Sequence, residues 1–309
     1  MSILVTGGSG FVGSALAIAL AGRGEHVVTF DITARESPRE AMTSVLGDIT
    51  DQALIKDVLV RHRVTRIVHA ASVVGVAAGA AGPAGALRTN LLGGLAVFDA
   101  AVEAGGIERI VDLSSEEVYG HFPRDPVPED VPKEPISLYG ITKNAVELLA
   151  RSYASIHGLP YVAARLCWVY GPNFPRNRLP NAWLADVVAG RLSVLEAGAE
   201  QTTDFTYIDD AVGGVIRLLD AGRLSERAYN VATGVATSVR SLAEQLHVIR
   251  PEWRFELGPG RLQLTPGVEA ARKGAMDVSR MCDELGWSAS VTLEDGLRRT
   301  LESFEGSHI

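Results

Sequence analysis

The chain has 309 residues, 47% of them apolar and 21% charged, and its formal net charge is −8. That is enough apolar material for one large core or two smaller ones, whereas the acidic balance and the lack of a Lys/Arg-rich run argue against a nucleic-acid partner. No apolar run is long enough to cross a membrane, no targeting segment precedes the first strand, and two widely spaced cysteines, Cys167 and Cys282, predict neither a disulfide framework nor a metal site. We therefore expect a soluble cytoplasmic protein.

Short apolar runs alternate with longer helical patterns through the first 171 residues. Strands are predicted at 3–6, 26–30, 44–49, 66–71, 109–115 and 161–171, and helices at 11–23, 51–62, 90–104 and 139–157. The Ala/Gly run at 76–86 is interpreted as a loop or a weak helix start. The alternation predicts an α/β fold, a doubly wound parallel (Rossmann) sheet with right-handed crossovers.

The pattern changes after residue 171. A segment rich in Pro and Asn is followed by predicted helices at 181–190, 238–248, 277–285 and 292–305 and by strands at 192–196 and 228–233. We expect a Rossmann domain over 1–171, to which 204–235 partly returns. Residues 172–203 and 236–309 are expected to form a smaller C-terminal substrate-binding region, which closes over ligands at the strand ends.

The run VTGGSGFVG joins the first predicted strand to the first helix. Two registers fit equally well: G-x-x-G-x-x-G starting at Gly7 and G-x-G-x-x-G starting at Gly8. In either register the glycines allow a tight turn and let a pyrophosphate rest on the helix N-terminus. The cofactor-binding candidates of this run are Gly7, Gly10, Phe11, Val12 and Gly13.

Asp31 ends the second predicted strand, roughly 20 residues after the glycine run. A carboxylate at that place binds the adenosine ribose hydroxyls and repels a 2′-phosphate, which favours NAD over NADP. Arg35 is near enough in sequence to weaken this preference. NAD is the expected cofactor.

Two further pairs are cofactor-binding candidates. Asp48 and Ile49 follow the third predicted strand and could hold the adenine with a side-chain acceptor and an apolar wall. Capping a helix is an equal alternative for Asp48, and Asp51 competes for that role. Ala70 and Ala71 end the fourth strand and are small enough to let the cofactor lie against the backbone.

Tyr139 and Lys143 are four residues apart on a predicted helix, so their side chains share one face. A lysine cation beside a phenol favours the phenolate and lowers the pKa of the tyrosine. The tyrosine then becomes usable as a general base or acid near neutral pH. A solvated helix face is the alternative, but the preceding dinucleotide run and the strand that ends in serines favour a catalytic pair.

The motifs TGGSGFVG, HAAS, SSEEVYG, YGITKNAVE, RLCWVYGP, DFTYIDDA and DELGW resemble the extended short-chain dehydrogenase/reductase family, in its NAD-dependent sugar epimerase/dehydratase group, over nearly the whole chain. DFTYIDDAVGGVIRLLD is similar to a run of UDP-glucuronate 4-epimerases. The resemblance implies tightly held NAD, and a catalytic set in which Tyr139 takes a hydroxyl proton, Ser115 hydrogen-bonds the reacting oxygen and Lys143 holds the nicotinamide ribose. It also implies a homodimer that pairs helices equivalent to 90–104 and 139–157.

The run SSEEVYG contains two adjacent acids, Glu116 and Glu117, which are catalytic candidates. The run is similar to T-D-E-V-Y-G of sugar 4,6-dehydratases, in which the first acid protonates the leaving hydroxyl and the second removes a proton from carbon 5. The resemblance therefore implies acid/base roles for both. YGITK instead resembles epimerases, and a solvated loop that holds two glutamates is a nearly equal alternative.

The substrate end departs from the sugar-nucleotide pattern. Trp168 stands where the resemblance implies an asparagine that helps hold the diphosphate, and Thr203 stands where it implies a phosphate-binding arginine. A diphosphate needs charge-assisted donors, and Trp168 could fill the nucleotide's volume, stack on a sugar ring or wall the nicotinamide. The possible replacements for these phosphate contacts are Arg176, Arg178 and Arg272. The substrate-binding candidates are Ser115, Trp168, Arg176 and Thr203.

The first interpretation is an NAD-dependent sugar epimerase/dehydratase-type enzyme that passes hydride from a sugar hydroxyl to NAD, on a nucleotide sugar or a related sugar. The alternative is an NAD-dependent dehydrogenase of a nucleotide-free sugar acid or polyol. A non-catalytic NAD-binding sensor on the same fold is a third possibility, against which Ser115, Tyr139 and Lys143 argue.

Overall fold

The computed structural model describes residues 2–33, 40–175, 178–265 and 267–306. The strands in these ranges are β1 (Ser2–Thr6), β2 (His26–Asp31), β3 (Met42–Leu46), β4 (Val64–His69), β5 (Arg109–Ser115), β6 (Tyr161–Leu166), β7 (Ser193–Leu195), β8 (Thr202–Thr203), β9 (Ala228–Val231), β10 (Thr237–Ser238), β11 (Phe255–Leu257), β12 (Gln263–Thr265) and β13 (Val268–Glu269).

The helices of the same ranges are α1 (Phe11–Gly22), α2 (Gln52–Arg61), α3 (Val76–Ala81), α4 (Pro83–Leu87), α5 (Gly93–Ala104), α6 (Leu138–His157), α7 (Asn181–Val188), α8 (Ile208–Asp220), α9 (Val239–Ile249), α10 (Ser279–Leu285) and α11 (Leu293–Gly306). A wider helical turn at Arg88–Leu92 leads into α5, and a short 3₁₀ turn at Glu116–Tyr119 follows β5. The structure therefore keeps the expected strand–helix alternation. None of the helices in the described ranges has both the length and the apolarity needed to cross a membrane.

Seven described strands form one parallel sheet in the order β3-β2-β1-β4-β5-β6-β9. The chain runs outward from β1 to β3 and then returns to β4, so the strand order reverses between β1 and β4. Helices packed on the two sides of such a sheet leave a crevice outside the carboxyl ends of the strands at this switch point. The predicted doubly wound parallel sheet is confirmed.

The alternation of side chains along β1 shows why both faces of the sheet are covered. Ile3 and Val5 belong to one apolar core, built with α1, α8 and α9, whereas Leu4 belongs to the other, built with α2, α5 and α6. Successive side chains of a strand point to opposite faces. A continuous apolar strand therefore requires a helical layer on each side.

The chain after residue 171 contributes to both parts of the molecule. β9 extends the main sheet beside β6, and α8 packs against α1. Among the described residues, three two-stranded sheets lie outside the main one: β7 with β11, β8 with β10, and β12 with β13. The Phe122 amide also donates to the Arg272 carbonyl at 2.8 Å, which ties the C-terminal segment to the loop after β5.

Some element boundaries differ from expectation for identifiable reasons. The expected strand over 161–171 ends at Leu166, because Trp168 has a left-handed φ of +34° that no strand can continue. The expected strand over 44–49 ends at Leu46, and the next residue, Gly47, lies so close to the Phe30 ring that a Cβ there would be 2.5 Å from its Cζ atom. The Ala/Gly run forms two short helices, α3 and α4.

Candidate active site

One cavity of about 680 Å³ opens at the carboxyl ends of the central strands. It runs from the glycine turn after β1 to the serines at the end of β5 and the first turns of α6. Its lining includes Gly7, Gly10, Phe11, Val12, Gly13, Asp31, Asp48, Ile49, Ala70, Ala71, Ser115, Glu116, Glu117, Tyr139, Lys143, Trp168 and Arg178.

The glycine turn resolves the register that spacing left open. Gly7 has φ +66°, and a Cβ atom there would lie 2.7 Å from the Ala70 carbonyl carbon; a Cβ at Gly13 would lie 2.1 Å from the Gly7 oxygen. Gly8, by contrast, packs toward Thr29, where a Cβ would meet the threonine Cβ at 2.5 Å. Gly7 lines the cavity with Gly10 and Gly13, so the G-x-x-G-x-x-G register faces the ligand space.

Asp31 lies at the cavity end of β2. Its Oδ2 accepts from the Ser9 amide at 3.0 Å, and its Oδ1 accepts from the amide and hydroxyl of Thr33, both at 3.1 Å. These bonds orient the carboxylate beside the glycine turn, where ribose hydroxyls would lie. Arg35, which weakened the preference for NAD in the sequence, lies outside the described residues.

Asp48 does not cap helix α2. Its Oδ1 accepts from the amide of Thr50 at 2.9 Å and from the hydroxyl at 2.8 Å, and these hydrogen bonds lower the pKa of Asp48. The cap is Asp51, which accepts from the Leu54 amide at 3.0 Å. Asp48 and Ile49 both line the cavity and remain candidates for the adenine end.

The end of β4 is held by a buried hydroxyl. Thr6 Oγ1 accepts from the amides of Ala70 and Ala71, each at 3.2 Å, and lies 2.8 Å from His69 Nδ1. Burial, helped by the charge of Lys143, lowers the pKa of His69 to about 3. His69 is thus a neutral core residue beneath the cavity, and the bonds to Thr6 fix the backbone that faces it.

Helix α6 carries Tyr139 and Lys143 in its first two turns and starts at Ser137, whose hydroxyl accepts from the Gly140 amide at 3.1 Å. Both side chains are buried, and both line the cavity together with Ser115. Burial lowers the pKa of Lys143, while the charges of Asp112 and Glu147 oppose that shift. The structure therefore brings the three predicted catalytic side chains to one cavity.

A buried ion pair fixes α6 against the sheet. Glu147 accepts from Arg165 Nε at 3.0 Å and from a terminal nitrogen at 2.6 Å, and Ser114 donates to it at 2.6 Å. Arg165 also donates to the Tyr119 hydroxyl at 2.8 Å. No local sequence pattern predicts this network, because Glu147 on the helix and Arg165 on the strand are 18 positions apart and meet only in the folded chain.

The two acids do not lie in a solvated loop. Ser115 Oγ donates to Glu116 Oε2 at 2.6 Å, and the Glu117 amide donates back to Ser115 Oγ at 3.2 Å. Glu117 pairs with Lys273 at 3.3 Å and accepts from Ser137 at 2.8 Å. Lys273 was not singled out from the sequence, where it is only one basic residue in the run LTPGVEAARKG at 264–274.

The substrate-binding candidates are separated by the structure. Trp168 lines the cavity, stacks under the Arg178 guanidinium at 3.9 Å and meets Phe205 edge to face at 5.4 Å. Thr203 is fully buried, lies 3.6 Å from the Cys167 sulfur and is not among the described residues that line the cavity. Arg176 lies outside the described residues.

A family model for the NAD-dependent epimerase/dehydratase family matches residues 3–232, which covers the glycine turn, the serines, Tyr139 and Lys143. The chain belongs to this family. It is an NAD-dependent enzyme, and the fold and the family expected from its motifs are confirmed.

Similar proteins carry different reactions on this fold. The chain is 28% identical to the dTDP-glucose 4,6-dehydratase of Xanthomonas campestris pv. campestris, over 97% of this chain and 92% of that protein. UDP-glucose 4-epimerase of Thermotoga maritima superposes with a TM-score of 0.90 at 26% identity, over the whole of both chains. A GalE-like L-threonine dehydrogenase of Cupriavidus necator superposes at 0.88 and 26% identity, over 97% of this chain and 99% of that one.

Proposed function

We propose that this enzyme oxidises a hydroxyl of a sugar to a ketone, and then rearranges and reduces that ketone or releases it. The observation that carries the proposal is the convergence of Ser115, Tyr139 and Lys143 on the cavity that also holds the glycine turn. A dinucleotide-binding cavity without these three side chains would indicate only that the protein binds a dinucleotide, and would not indicate catalysis.

The residues at the strand ends fit an NAD molecule. The close-packed glycine turn can accept a pyrophosphate and has no room for a Cβ atom at Gly13. Asp31 places a carboxylate where ribose hydroxyls are recognised. The residues proposed to hold NAD are Gly7, Gly10, Phe11, Val12, Gly13, Asp31, Asp48, Ile49, Ala70, Ala71, Tyr139 and Lys143. When bound, NAD supplies the acceptor for the hydride.

The chain's own residues move and hold the proton. The Tyr139 phenolate removes the proton of the substrate hydroxyl as the hydride leaves carbon, and Lys143 favours the phenolate by its charge. Ser115 hydrogen-bonds the reacting oxygen. Its hydroxyl donates to Glu116 and accepts from the Glu117 amide, so it turns its single proton from Glu116 to the substrate oxygen to do this. Glu116 and Glu117 are the acid/base candidates for rearranging the ketone.

Tyr139→Phe tests the proposal with a matched control on the same helix. Tyr153 also lies on α6, but its hydroxyl bonds Asp99 at 2.5 Å and it is not among the described residues that line the cavity. Turnover of a panel of nucleotide sugars and sugar acids should fall about 100-fold or more in Tyr139→Phe and stay near wild type in Tyr153→Phe. Equal turnover in wild type and Tyr139→Phe contradicts the proposal.

A nucleotide sugar is the substrate class that the names of the dehydratase and epimerase relatives favour. A second candidate is an NAD-dependent dehydrogenase of a nucleotide-free sugar acid or polyol. Trp168 at the cavity wall and the burial of Thr203 favour it, and the L-threonine dehydrogenase is a relative whose named substrate carries no nucleotide. UDP, dTDP and GDP should raise the melting temperature under the first candidate and leave it unchanged under the second.

Three further properties belong to the same proposal. Residues 1–171 with 204–235 form the NAD-binding domain, and 172–203 with 236–309 form the substrate region. The enzyme is a cytoplasmic homodimer that pairs α5 and α6, since α6 exposes Ile141, Leu148 and Ile156. Light scattering after size-exclusion chromatography tests the dimer, and Leu148→Lys should dissociate it.

A further inference from the structure

Lys273 lies on a C-terminal segment that crosses the loop after the two glutamates. The Phe122 amide donates to the Arg272 carbonyl at 2.8 Å, and the Val127 amide donates to the Ala275 carbonyl at 3.0 Å. The Thr202 hydroxyl donates to the Lys273 carbonyl from the other side. The backbone of Lys273 is therefore fixed between the loop after β5 and β8, and its side chain reaches the turn that carries Glu116 and Glu117.

The ammonium of Lys273 is withdrawn from solvent. Only 4% of the side chain is exposed. Nζ lies 3.3 Å from Glu117 Oε1, donates to the Glu116 carbonyl at 3.2 Å and lies 5.0 Å from the centre of the Phe122 ring. A buried ammonium needs an anion beside it, and Glu117 supplies that anion.

Both carboxylate oxygens of Glu117 are engaged. Oε1 faces Lys273, and Oε2 accepts from the Ser137 hydroxyl at 2.8 Å. The same hydroxyl caps α6 through the Gly140 amide at 3.1 Å. Glu117 lines the cavity, but for either oxygen to act as an acid or base it would have to give up the ion pair or the hydrogen bond to Ser137, which also caps the helix that carries Tyr139.

Glu116 has a different environment. Its Oε2 accepts from Ser115 Oγ at 2.6 Å, in the cavity. The charged groups near enough to shift its pKa are Lys273 from the C-terminal segment, Glu117 from its own turn and Arg178 from the loop before α7. Glu116 in turn raises the pKa of Cys167, the residue after β6. Burial raises the pKa of Glu116, the charge of Lys273 lowers it, and Glu117 raises it. Adjacent carboxyls in unlike environments are typical of acid/base pairs with different protonation states.

We propose that Lys273 is a positioning residue that gives the two glutamates different tasks: it holds Glu117 as a fixed counter-ion and leaves Glu116 as the carboxyl that can carry a proton beside Ser115. The proposal rests on the proposed function only because it takes Ser115 as a member of the catalytic set.

The test follows the carboxyl proton directly and needs no substrate. Infrared spectra of the NAD-loaded enzyme are recorded as the pH is raised, and the band of the protonated carboxyl is assigned by its loss in Glu116→Gln but not in Glu117→Gln. Lys273→Met removes the ammonium that favours the ionised form, so the Glu116 band should persist to a pH about one unit higher or more. Lys273→Arg, which keeps the charge, should return the midpoint toward wild type.

Two results overturn the proposal. One is an unchanged midpoint in Lys273→Met; the other is a band that disappears in Glu117→Gln instead of Glu116→Gln. If Lys273→Met fails to fold, the double variant Glu117→Gln/Lys273→Met removes both charges of the ion pair. Its midpoint is then compared with that of Glu117→Gln, which lacks the same carboxylate but keeps Lys273, and equal midpoints in these two variants overturn the proposal.

Kinetics on a converted substrate separate positioning from catalysis. Glu116→Gln should lower kcat about 100-fold with KM nearly unchanged, whereas Glu117→Gln/Lys273→Met should lower kcat less than Lys273→Met alone. If the wild-type enzyme converts none of the substrates in the panel, that result counts against the proposed function, whereas the infrared measurement still tests the role of Lys273. A double variant with lower kcat than Lys273→Met would overturn the assignment of Glu117 as a counter-ion.

Discussion

Arg165→Met should be among the most damaging single substitutions in this protein. Arg165 is 2% exposed and makes two hydrogen bonds to Glu147, one to the Tyr119 hydroxyl and one to the Glu129 carbonyl. Methionine fills similar volume but leaves the Glu147 carboxylate buried without its cation. Removing one partner of a buried pair costs about 3–5 kcal/mol, because the other charge remains desolvated.

The loss should depend on pH with a defined sign. Burial raises the pKa of Glu147, but the Arg165 bonds and charge and the Ser114 bond together lower it below its usual value. In wild type the pair therefore adds stability above the unfolded-state pKa of Glu147, and this stability is lost as pH falls. Without Arg165 burial dominates and the folded-state pKa rises, so the variant loses stability as pH rises. The deficit should be larger at pH 7.5 than at pH 5.

The free energy of unfolding is measured by urea unfolding for the wild type, Arg165→Met and Glu147→Leu/Arg165→Met. The double variant removes both charges and should recover about 2 kcal/mol or more of the single variant's loss. A wild-type midpoint in Arg165→Met would refute the reasoning. So would a double variant that is no more stable than the single one, or a deficit that shrinks between pH 5 and pH 7.5.

Three other outcomes are expected. Gly13→Ala should weaken NAD binding in calorimetry about tenfold or more, because its Cβ would lie 2.1 Å from the Gly7 oxygen, whereas Gly85→Ala, with open space around it, should bind normally. His69 has a folded-state pKa of about 3 against about 6.5 unfolded, so stability should fall as pH drops below about 6.5, by up to about 1.4 kcal/mol per pH unit, and His69→Gln should lose that slope. Asp204→Asn should cost about 3 kcal/mol in urea unfolding, because the carboxylate accepts from Thr233, Gly234 and Met276, while exposed Asp209→Asn should be neutral. A neutral Asp204→Asn, a normal NAD affinity in Gly13→Ala or an unchanged slope in His69→Gln would each count against its argument.

Local patterns in the sequence were enough to predict the strand–helix alternation and the helix that carries Tyr139 and Lys143. The predicted strand at 109–115 agrees with β5, and the predicted helix at 139–157 differs from α6 by one residue. Periodicity determines which face of an element is buried. For the same reason the four-residue spacing of Tyr139 and Lys143 predicts that their side chains share one face, because this depends only on the geometry of the helix.

Only the tertiary structure decided between alternatives that depend on contacts with residues far away in the sequence. The glycine register depends on Thr29 and Ala70, and the different roles that we propose for Glu116 and Glu117 depend on Lys273, which follows Glu116 by 157 residues. The burial of Thr203 and the position of Trp168 over the cavity likewise follow from packing between separate elements. The spacing of residues along a helix or strand determines which way each side chain points from that element. The charges and atoms that surround the side chain depend instead on which other elements pack against it in the fold.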